Sequence, residues 1–149
     1  MWLTGRSGAG KSTLGRAVAE HLRARHQPVA LLDDDEVRTY LAGPGDAARA
    51  ALAWLCRVLV TNGVTAVVAS AMPSRDDRER LRDDVPGLVE VHLDAPPELC
   101  EARAGHSHPY EEPLAPDLRV PTHGRAPAAS AAQVVSFLEA EGFATPDGR

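Results

Sequence analysis

Eight residues near the start of the chain carry the clearest chemical signal. Gly5 to Ser12 read G-x-x-x-x-G-K-S, and they lie between a short apolar stretch and a helical pattern. Glycines let the backbone curl so that successive N–H groups point at phosphate oxygens, and the following helix adds the positive end of its dipole. Lys11 suits the outer phosphates and the Ser12 hydroxyl suits Mg²⁺. The segment predicts a nucleoside triphosphate site with Mg²⁺, because a chance glycine-rich turn would not need this strand–loop–helix setting.

A cluster of acids follows the next apolar run of the chain. Val29–Leu32 reads as a buried strand, and it leads into Asp33-Asp34-Asp35-Glu36 and then Arg38. Active sites of open α/β sheets lie at the carboxyl ends of strands, so we expect these acids beside the phosphate-binding loop. The alternative interpretation is a helix N-terminus, where aspartate caps well and acids favour the first turn.

A third polar segment leaves the predicted strand Thr65–Ala69. The loop Ser70–Pro73 follows it and is expected to face the same site. The mixed charges from Arg75 to Asp84 are typical of a solvated helix face. Within that run, Arg75 and Arg78 lie nearest the predicted site and are the two that we consider functional.

Helices and strands alternate along the rest of the chain. The spacing of Leu14, Val18 and Leu22 predicts a helix from Lys11 to about His26. After the break Gly43-Pro44-Gly45, Asp46 is expected to cap a helix from Ala47 to about Asn62, which Gly63 ends, with Trp54 in core or edge packing. The remaining predicted elements are strands at Leu88–Leu93 and Leu118–Val120, and helices at Pro97–Arg103 and from Ser130 to about Glu141. The alternation predicts an α/β fold with a parallel sheet, as one domain over residues 1–149.

Composition narrows the class of protein. The chain has 149 residues, 44% of them hydrophobic, with a formal net charge of −5, which argues against a basic surface for long nucleic acids. Cys56 and Cys100 form no C-x-x-C motif and are expected to be buried thiols. His106, His108 and His123 fit no standard zinc spacing and are expected to be exposed loop residues. No apolar run approaches the roughly 18 residues of a membrane span, and no signal peptide is visible, so we expect a cytoplasmic protein without membrane contact.

Beyond the loop, several motifs in order along the chain resemble those of the adenylylsulfate (APS) kinase family. The loop itself, with Trp2-Leu3-Thr4 before it, is similar to the phosphate loop of that family. The other matching motifs are Leu32-Asp33-x-Asp35-x-x-Arg38, the set Ala69, Pro73, Arg75 and Arg78, Leu99-Cys100-Glu101-x-Arg103, and Pro109-Tyr110-Glu111-x-Pro113 followed by Pro116-Asp117-Leu118.

The resemblance implies a P-loop NTPase fold of the nucleoside-kinase-like type, a three-layer sandwich. It also implies transfer of the γ-phosphoryl group of ATP to the 3′-hydroxyl of APS, with Mg²⁺, often by a homodimer. Asp33 is the favoured base, with Asp35 as the alternative, and either acid could assist Ser12 at Mg²⁺. The predicted ATP-binding residues are Gly5, Ser7, Gly8, Ala9, Gly10, Lys11, Ser12, Thr13 and Arg103. The predicted acceptor-binding residues are Asp33, Asp35, Arg38, Met72, Pro73 and Arg75.

Departures from the family pattern fall mostly on the acceptor side. Asp34 replaces a glycine, Met72 replaces a serine, and a basic lid of the family is shortened to Ala104–His108. Added negative charge disfavours an anionic acceptor, which favours a different hydroxyl on a neutral or cationic metabolite. The alternatives are a kinase for a nucleoside- or antibiotic-type acceptor, and a nucleotide-binding paralogue without transferase activity.

Overall fold

A computed structural model describes residues 1–40 and 45–143, apart from the side chains at positions 38, 46, 48 and 49. The described residues form five strands: β1 Trp2–Thr4, β2 Val29–Asp33, β3 Thr65–Ala69, β4 Glu90–Asp94 and β5 Leu118–Pro121. They also form six helices: α1 Lys11–Ala24, α2 Asp34–Tyr40, α3 Gly45–Thr61, α4 Arg75–Asp84, α5 Pro97–Ala104 and α6 Pro127–Ala140.

All described strand pairs are parallel, in the order β2-β3-β1-β4-β5. Consecutive side chains of a strand point to opposite faces, and here each face has its own core. Leu3 and Val67 pack in a cluster with residues of α1 and α6, whereas Trp2 and Val68 pack in a second cluster with residues of α3 and α4. The sheet therefore lies between two helical layers, which confirms the predicted three-layer parallel α/β sandwich.

The order of the strands explains where the polar segments meet. β1 lies in the middle of the sheet, paired with β3 on one side and with β4 on the other. The carboxyl ends of β1, β2 and β3 therefore lie along one edge, and the segments that leave them are neighbours in space.

Several predicted boundaries and placements need correction. α1 ends at Ala24 rather than near His26, and α3 begins at Gly45, so Asp46 lies inside the helix instead of capping it. α6 begins at Pro127, because proline suits the first helical position, and Ser130 is buried in its first turn. Trp54 was predicted in core or edge packing, and its exposure of 57% excludes the core, because the buried stripe of α3 runs through Leu52, Ala53 and Cys56. Positions 43 and 44 of the predicted break lie outside the described residues.

Candidate active site

The phosphate-binding loop connects β1 to α1 and closes around Lys11. The Lys11 ammonium donates to the carbonyl oxygens of Gly5 at 3.0 Å and Arg6 at 2.9 Å. Burial lowers the pKa of Lys11 below its usual range, although Cys100 and then the neighbouring aspartates oppose that shift. The lysine is therefore held in place beneath the loop by the same backbone that forms it.

Two other parts of the chain brace this loop. Gly8 has φ +82°, and a Cβ atom built on it would lie 2.3 Å from the carbonyl oxygen of Cys100 in α5. The Thr122 hydroxyl, just after β5, donates to the carbonyl oxygen of Ala9 at 2.8 Å. The conformation of the loop thus depends on close backbone contact with α5, which only glycine permits at position 8.

The acidic cluster begins at the last residue of β2. Asp33 is only 9% exposed, and its Oδ1 accepts a hydrogen bond from the Asp35 amide at 3.1 Å. Asp34 Oδ2 accepts from the Ser70 hydroxyl at 2.9 Å, which links the end of β2 to the loop after β3. Both interpretations of this cluster hold, because the acids after Asp33 form the first turn of α2 and three of the four acids also line the cavity described next.

One cavity of about 1160 Å³ unites the loop, the acids and three further segments. Its lining comes from residues 7–14, 33–35, 69–71, 73–74, 103, 106, 108–111, 122, 125, 127 and 130. Burial of most of a nucleotide-sized ligand needs a cleft on this scale. The phosphate-binding loop therefore opens into a space with room for a nucleotide and a second small molecule.

Most of the predicted site residues line this cavity. They are Ser7, Gly8, Ala9, Gly10, Lys11, Ser12, Thr13, Asp33, Asp35, Pro73 and Arg103. Gly5 contributes its carbonyl oxygen to Lys11 instead of a cavity surface. The side chain of Arg38 lies outside the described residues.

Two predicted acceptor-binding residues are not brought to the cavity. The Met72 side chain packs in the core cluster with Trp2 and Leu81, and its backbone has φ +36°. Arg75 donates its backbone N–H to Glu111 Oε2 at 2.8 Å and its guanidinium to the Glu112 carbonyl oxygen at 3.1 Å. Sequence proximity to the site did not predict these directions, because they depend on the backbone turn after β3.

The segment between α5 and β5 supplies cavity residues that the sequence analysis did not single out as site residues. His106 and His108 are exposed, as expected, yet both line the cavity, with their ring centroids 4.4 Å apart. Tyr110 also lines it, and its hydroxyl forms a hydrogen bond with Nδ1 of the buried His92 at 3.2 Å. Burial, together with the charge of Arg119, lowers the pKa of His92 to about 4, so this imidazole is neutral near pH 7. The P-Y-E-x-P motif was the available signal for this wall.

Cys56 and Cys100 are both buried and form no disulfide with each other, in agreement with the buried thiols expected from the sequence. Among the described residues, no helix is long and apolar enough to cross a membrane.

A lysine-bearing glycine loop between the central strand and α1, with acids at the end of a nearby strand, defines a P-loop phosphotransferase of the nucleoside-kinase-like class. Comparison with known proteins narrows this class. The family model described as adenylylsulphate kinase matches residues 1–106, and the chain belongs to that family. This confirms the resemblance carried by the motifs, and with it the assignment as a phosphotransferase that uses a hydroxyl group as acceptor.

Individual relatives agree with the family assignment. An adenylyl-sulfate kinase of Gloeothece citriformis is 37% identical over 82% of this chain and 83% of the relative. A second, from a Picosynechococcus species, is 34% identical over 98% of this chain and 96% of the relative. Among solved structures, the Mycobacterium tuberculosis APS kinase in complex with AMPPNP and APS superposes with a TM-score of 0.81 at 28% identity, covering 93% of this chain and 95% of that one.

Proposed function

We propose that this protein transfers the γ-phosphoryl group of ATP, with Mg²⁺, to a hydroxyl group of a small acceptor, and that APS is the first candidate acceptor. The observation that carries the proposal is the shared cavity, which is lined by both the fixed Lys11 and the buried Asp33. The relative solved with AMPPNP and APS supports the choice of both ligands. Residues 1–149 are taken to act as one P-loop kinase domain.

The donor half of the cavity has the groups that a nucleoside triphosphate needs. The loop amides and Lys11 would hold the β- and γ-phosphates, and Arg103 would lie beside the base. Ser12 and Asp33 both line the cavity, and their oxygen atoms are the hard ligands that Mg²⁺ prefers, so these residues fit the ion. When bound, Mg²⁺ supplies charge neutralisation at the phosphates during transfer.

On the acceptor side, we assign Asp33 as the group that orients the hydroxyl and takes its proton. Its position at the end of β2, with Oδ1 fixed by the Asp35 amide, leaves Oδ2 for the acceptor. Asp35 is exposed, and we assign it a supporting role through water at Mg²⁺. Positioning and charge neutralisation account for most of the rate of phosphoryl transfer, so a fixed carboxylate is well suited to this role.

A second candidate acceptor is a neutral or cationic metabolite, and the charges of the wall favour it. Asp33, Asp34, Asp35 and Glu111 all line the cavity. The guanidinium groups of Arg75 and Arg78 are engaged by backbone carbonyl oxygens instead of facing the cavity. A phosphosulfate group binds best where cations outnumber acids, and among the described lining residues these four acids outnumber the three cations Lys11, Arg103 and Arg125. A nucleoside- or antibiotic-type hydroxyl belongs to this second candidate.

The test is an acceptor panel combined with variants of the acidic cluster. Wild-type protein is incubated with ATP and Mg²⁺ plus APS, or plus neutral and cationic hydroxyl compounds, and phosphorylated products are separated by chromatography. We expect Asp33→Asn to lower kcat about 100-fold or more, since general-base groups contribute roughly 10²–10⁴-fold. ATP affinity in the presence of Mg²⁺ should fall by a smaller factor, because Asp33 also fits the ion. Glu36→Gln is the matched control, because Glu36 is exposed in the same cluster but does not line the cavity.

Each result has a defined meaning. A 3′-phosphorylated APS product supports the first candidate, and product from the other compounds alone supports the second. Nucleotide binding with no product from any acceptor would contradict the proposed transferase function and favour a nucleotide-binding paralogue. Equal losses in Asp33→Asn and Glu36→Gln would contradict the role assigned to Asp33.

A further inference from the structure

Arg78 is a buried arginine on the inner side of α4, only 5% exposed. Its Nη1 donates to the Met72 carbonyl oxygen at 2.6 Å, and its Nη2 donates to the Glu111 carbonyl oxygen. Its Nε lies 3.2 Å from Glu90 Oε1 in β4, an ion pair without the alignment of a hydrogen bond. One guanidinium therefore joins the turn after β3, the segment before β5, and the sheet.

Further contacts join the same two segments. The Glu111 amide donates to the Pro73 carbonyl oxygen at 3.0 Å. In return, Glu111 Oε2 accepts from the Arg75 amide at the first residue of α4, at 2.8 Å. We call this set of contacts between residues 72–78 and residues 110–112 the clasp; Arg78 is its buried member.

The clasp shapes one wall of the cavity. Four cavity-lining residues belong to the clasp or are next to one of its residues in sequence: Pro73, Ser74, Tyr110 and Glu111. Met72 has φ +36°, a conformation that costs a non-glycine residue energy and persists only where surrounding contacts impose it. The hydrogen bond from Arg78 to the Met72 carbonyl oxygen is such a contact.

The clasp also reaches the nucleotide side through Tyr110. The Arg78 guanidinium lies 5.3 Å from the centroid of the Tyr110 ring, and the Arg6 guanidinium of the phosphate-binding loop lies 5.7 Å from it. Both distances are within the range of cation–π attraction. The aromatic ring of the wall is thus held between α4 and the loop.

We infer that Arg78 is a positioning residue for the acceptor: it holds the 110–112 segment against the turn after β3 without contacting the acceptor itself. This inference rests on the proposed transferase function for its kinetic consequence. Its structural consequence, the order of residues 108–112, can be measured without any acceptor.

The experiment compares Arg78→Lys with Arg82→Lys. Lysine keeps the charge opposite Glu90 but has no planar fork, so it cannot donate to two carbonyl oxygens and pair with a carboxylate in the same geometry. Arg82 lies one turn further along α4 and pairs with the same Glu90 at 3.3 Å and with Asp117 at 3.0 Å, but with neither of the two segments that the clasp joins. It is therefore a control for loss of an arginine from the ion-pair network around Glu90 that leaves the clasp itself in place.

For Arg78→Lys we expect the acceptor KM to rise at least tenfold while the dissociation constant for ATP changes less than threefold. Hydrogen exchange at residues 108–112 should accelerate at least tenfold, measured on the full chain without ligand. For Arg82→Lys, all three quantities should stay within threefold of wild type.

Unchanged exchange at residues 108–112 in Arg78→Lys would overturn the inference, whichever acceptor the enzyme uses. So would equal changes in both variants, or an equal weakening of ATP and acceptor binding, since these would indicate general destabilisation. Faster local exchange in a protein with no transferase activity at all would retain the clasp and reject the proposed function. If Arg78→Lys fails to fold, Glu111→Ala supplies the same readouts, because it removes the carboxylate that accepts from the Arg75 amide.

Discussion

Gly8 offers the sharpest test of how the phosphate-binding loop is built. In Gly8→Ala, the new Cβ would lie 2.3 Å from the carbonyl oxygen of Cys100. Cβ atoms in proteins essentially never approach another heavy atom more closely than 3.0 Å. The obstacle is the backbone of α5, which cannot move aside like a flexible side chain. The loop must therefore shift by at least about 0.7 Å away from α5.

The expected cost follows from that displacement. A misplacement of about 1 Å in a phosphoryl-transfer site lowers the rate by roughly 10²-fold, so we expect kcat/KM to fall by about two orders of magnitude. Alanine at φ +82° adds strain of about 1–2 kcal/mol to the folded state. The functional loss should therefore exceed what the loss of stability alone would produce.

The assay separates these two effects with a matched variant. Gly87 has φ +76° in the turn after α4, and a Cβ there would meet nothing within 4 Å. Gly87→Ala thus introduces similar backbone strain without the clash. Nucleotide affinity is measured by titration calorimetry, and stability by urea unfolding.

We expect both variants to lose about 1–2 kcal/mol of stability, and Gly8→Ala alone to lose nucleotide affinity and turnover. Wild-type nucleotide affinity in Gly8→Ala would refute the argument that contact with α5 sets the loop. Equal loss of affinity in Gly87→Ala would show that strain, not the clash, is responsible.

Three further predictions concern residues around the cavity. Because burial lowers the pKa of His92 to about 4, the unfolded state binds more protons between pH 6.5 and 4, and stability should fall by up to roughly 3 kcal/mol as pH drops through that window. In urea unfolding at several pH values, His92→Gln should not show this loss of stability at acid pH, whereas His123→Gln should show it as wild type does. The same loss of stability in His92→Gln would contradict its assignment to His92. Glu90→Gln should lower the free energy of unfolding by about 3–5 kcal/mol, because Arg78 would remain buried without its carboxylate partner. Glu112→Gln, at an exposed position, should change the free energy of unfolding by less than about 0.5 kcal/mol. A similarly small effect of Glu90→Gln would contradict the importance of the Arg78–Glu90 ion pair. Arg103→Ala should raise the KM for ATP several-fold by removing a cation from the cavity, whereas the exposed Arg80→Ala should not; no difference between them would remove Arg103 from the nucleotide site.

Local patterns predicted the parts of the fold that depend on neighbours in sequence. Leu14, Val18 and Leu22 recur at helical spacing and are all buried in α1. Short apolar runs located β3, which is buried, and β2, which is a partly buried edge strand, because strands covered on both faces need no alternation. The phosphate-binding loop could also be predicted from the sequence, because its glycines and its lysine act within eight consecutive residues.

Features that depend on distant contacts could not be predicted in this way. The start of α6 was misplaced because Ser130 and Pro127 both give helix-start signals, and the sequence does not rank them. Met72 and Arg75 lie beside the site along the chain, but the turn at Met72 directs one into the core and the other toward Glu112. Residues 106–111 have no periodicity, so only the folded structure brings them across the cavity from the loop.

Homodimer formation and cytoplasmic location remain predictions, and neither enters the assignment of the site.

The most direct measurement is transfer of label from γ-labelled ATP, with Mg²⁺ and with APS or each other acceptor of the panel in turn, by wild-type protein and by Lys11→Met. Methionine keeps an unbranched side chain, one atom shorter, but removes the cation that is fixed to the Gly5 and Arg6 carbonyl oxygens. We expect label in an organic phosphate ester with wild type, and at least a 100-fold lower rate with Lys11→Met, because electrostatic stabilisation of the transferred group supplies most of the rate. Label that never leaves ATP, or equal transfer by both proteins, would contradict the account of this cavity as a phosphotransferase site.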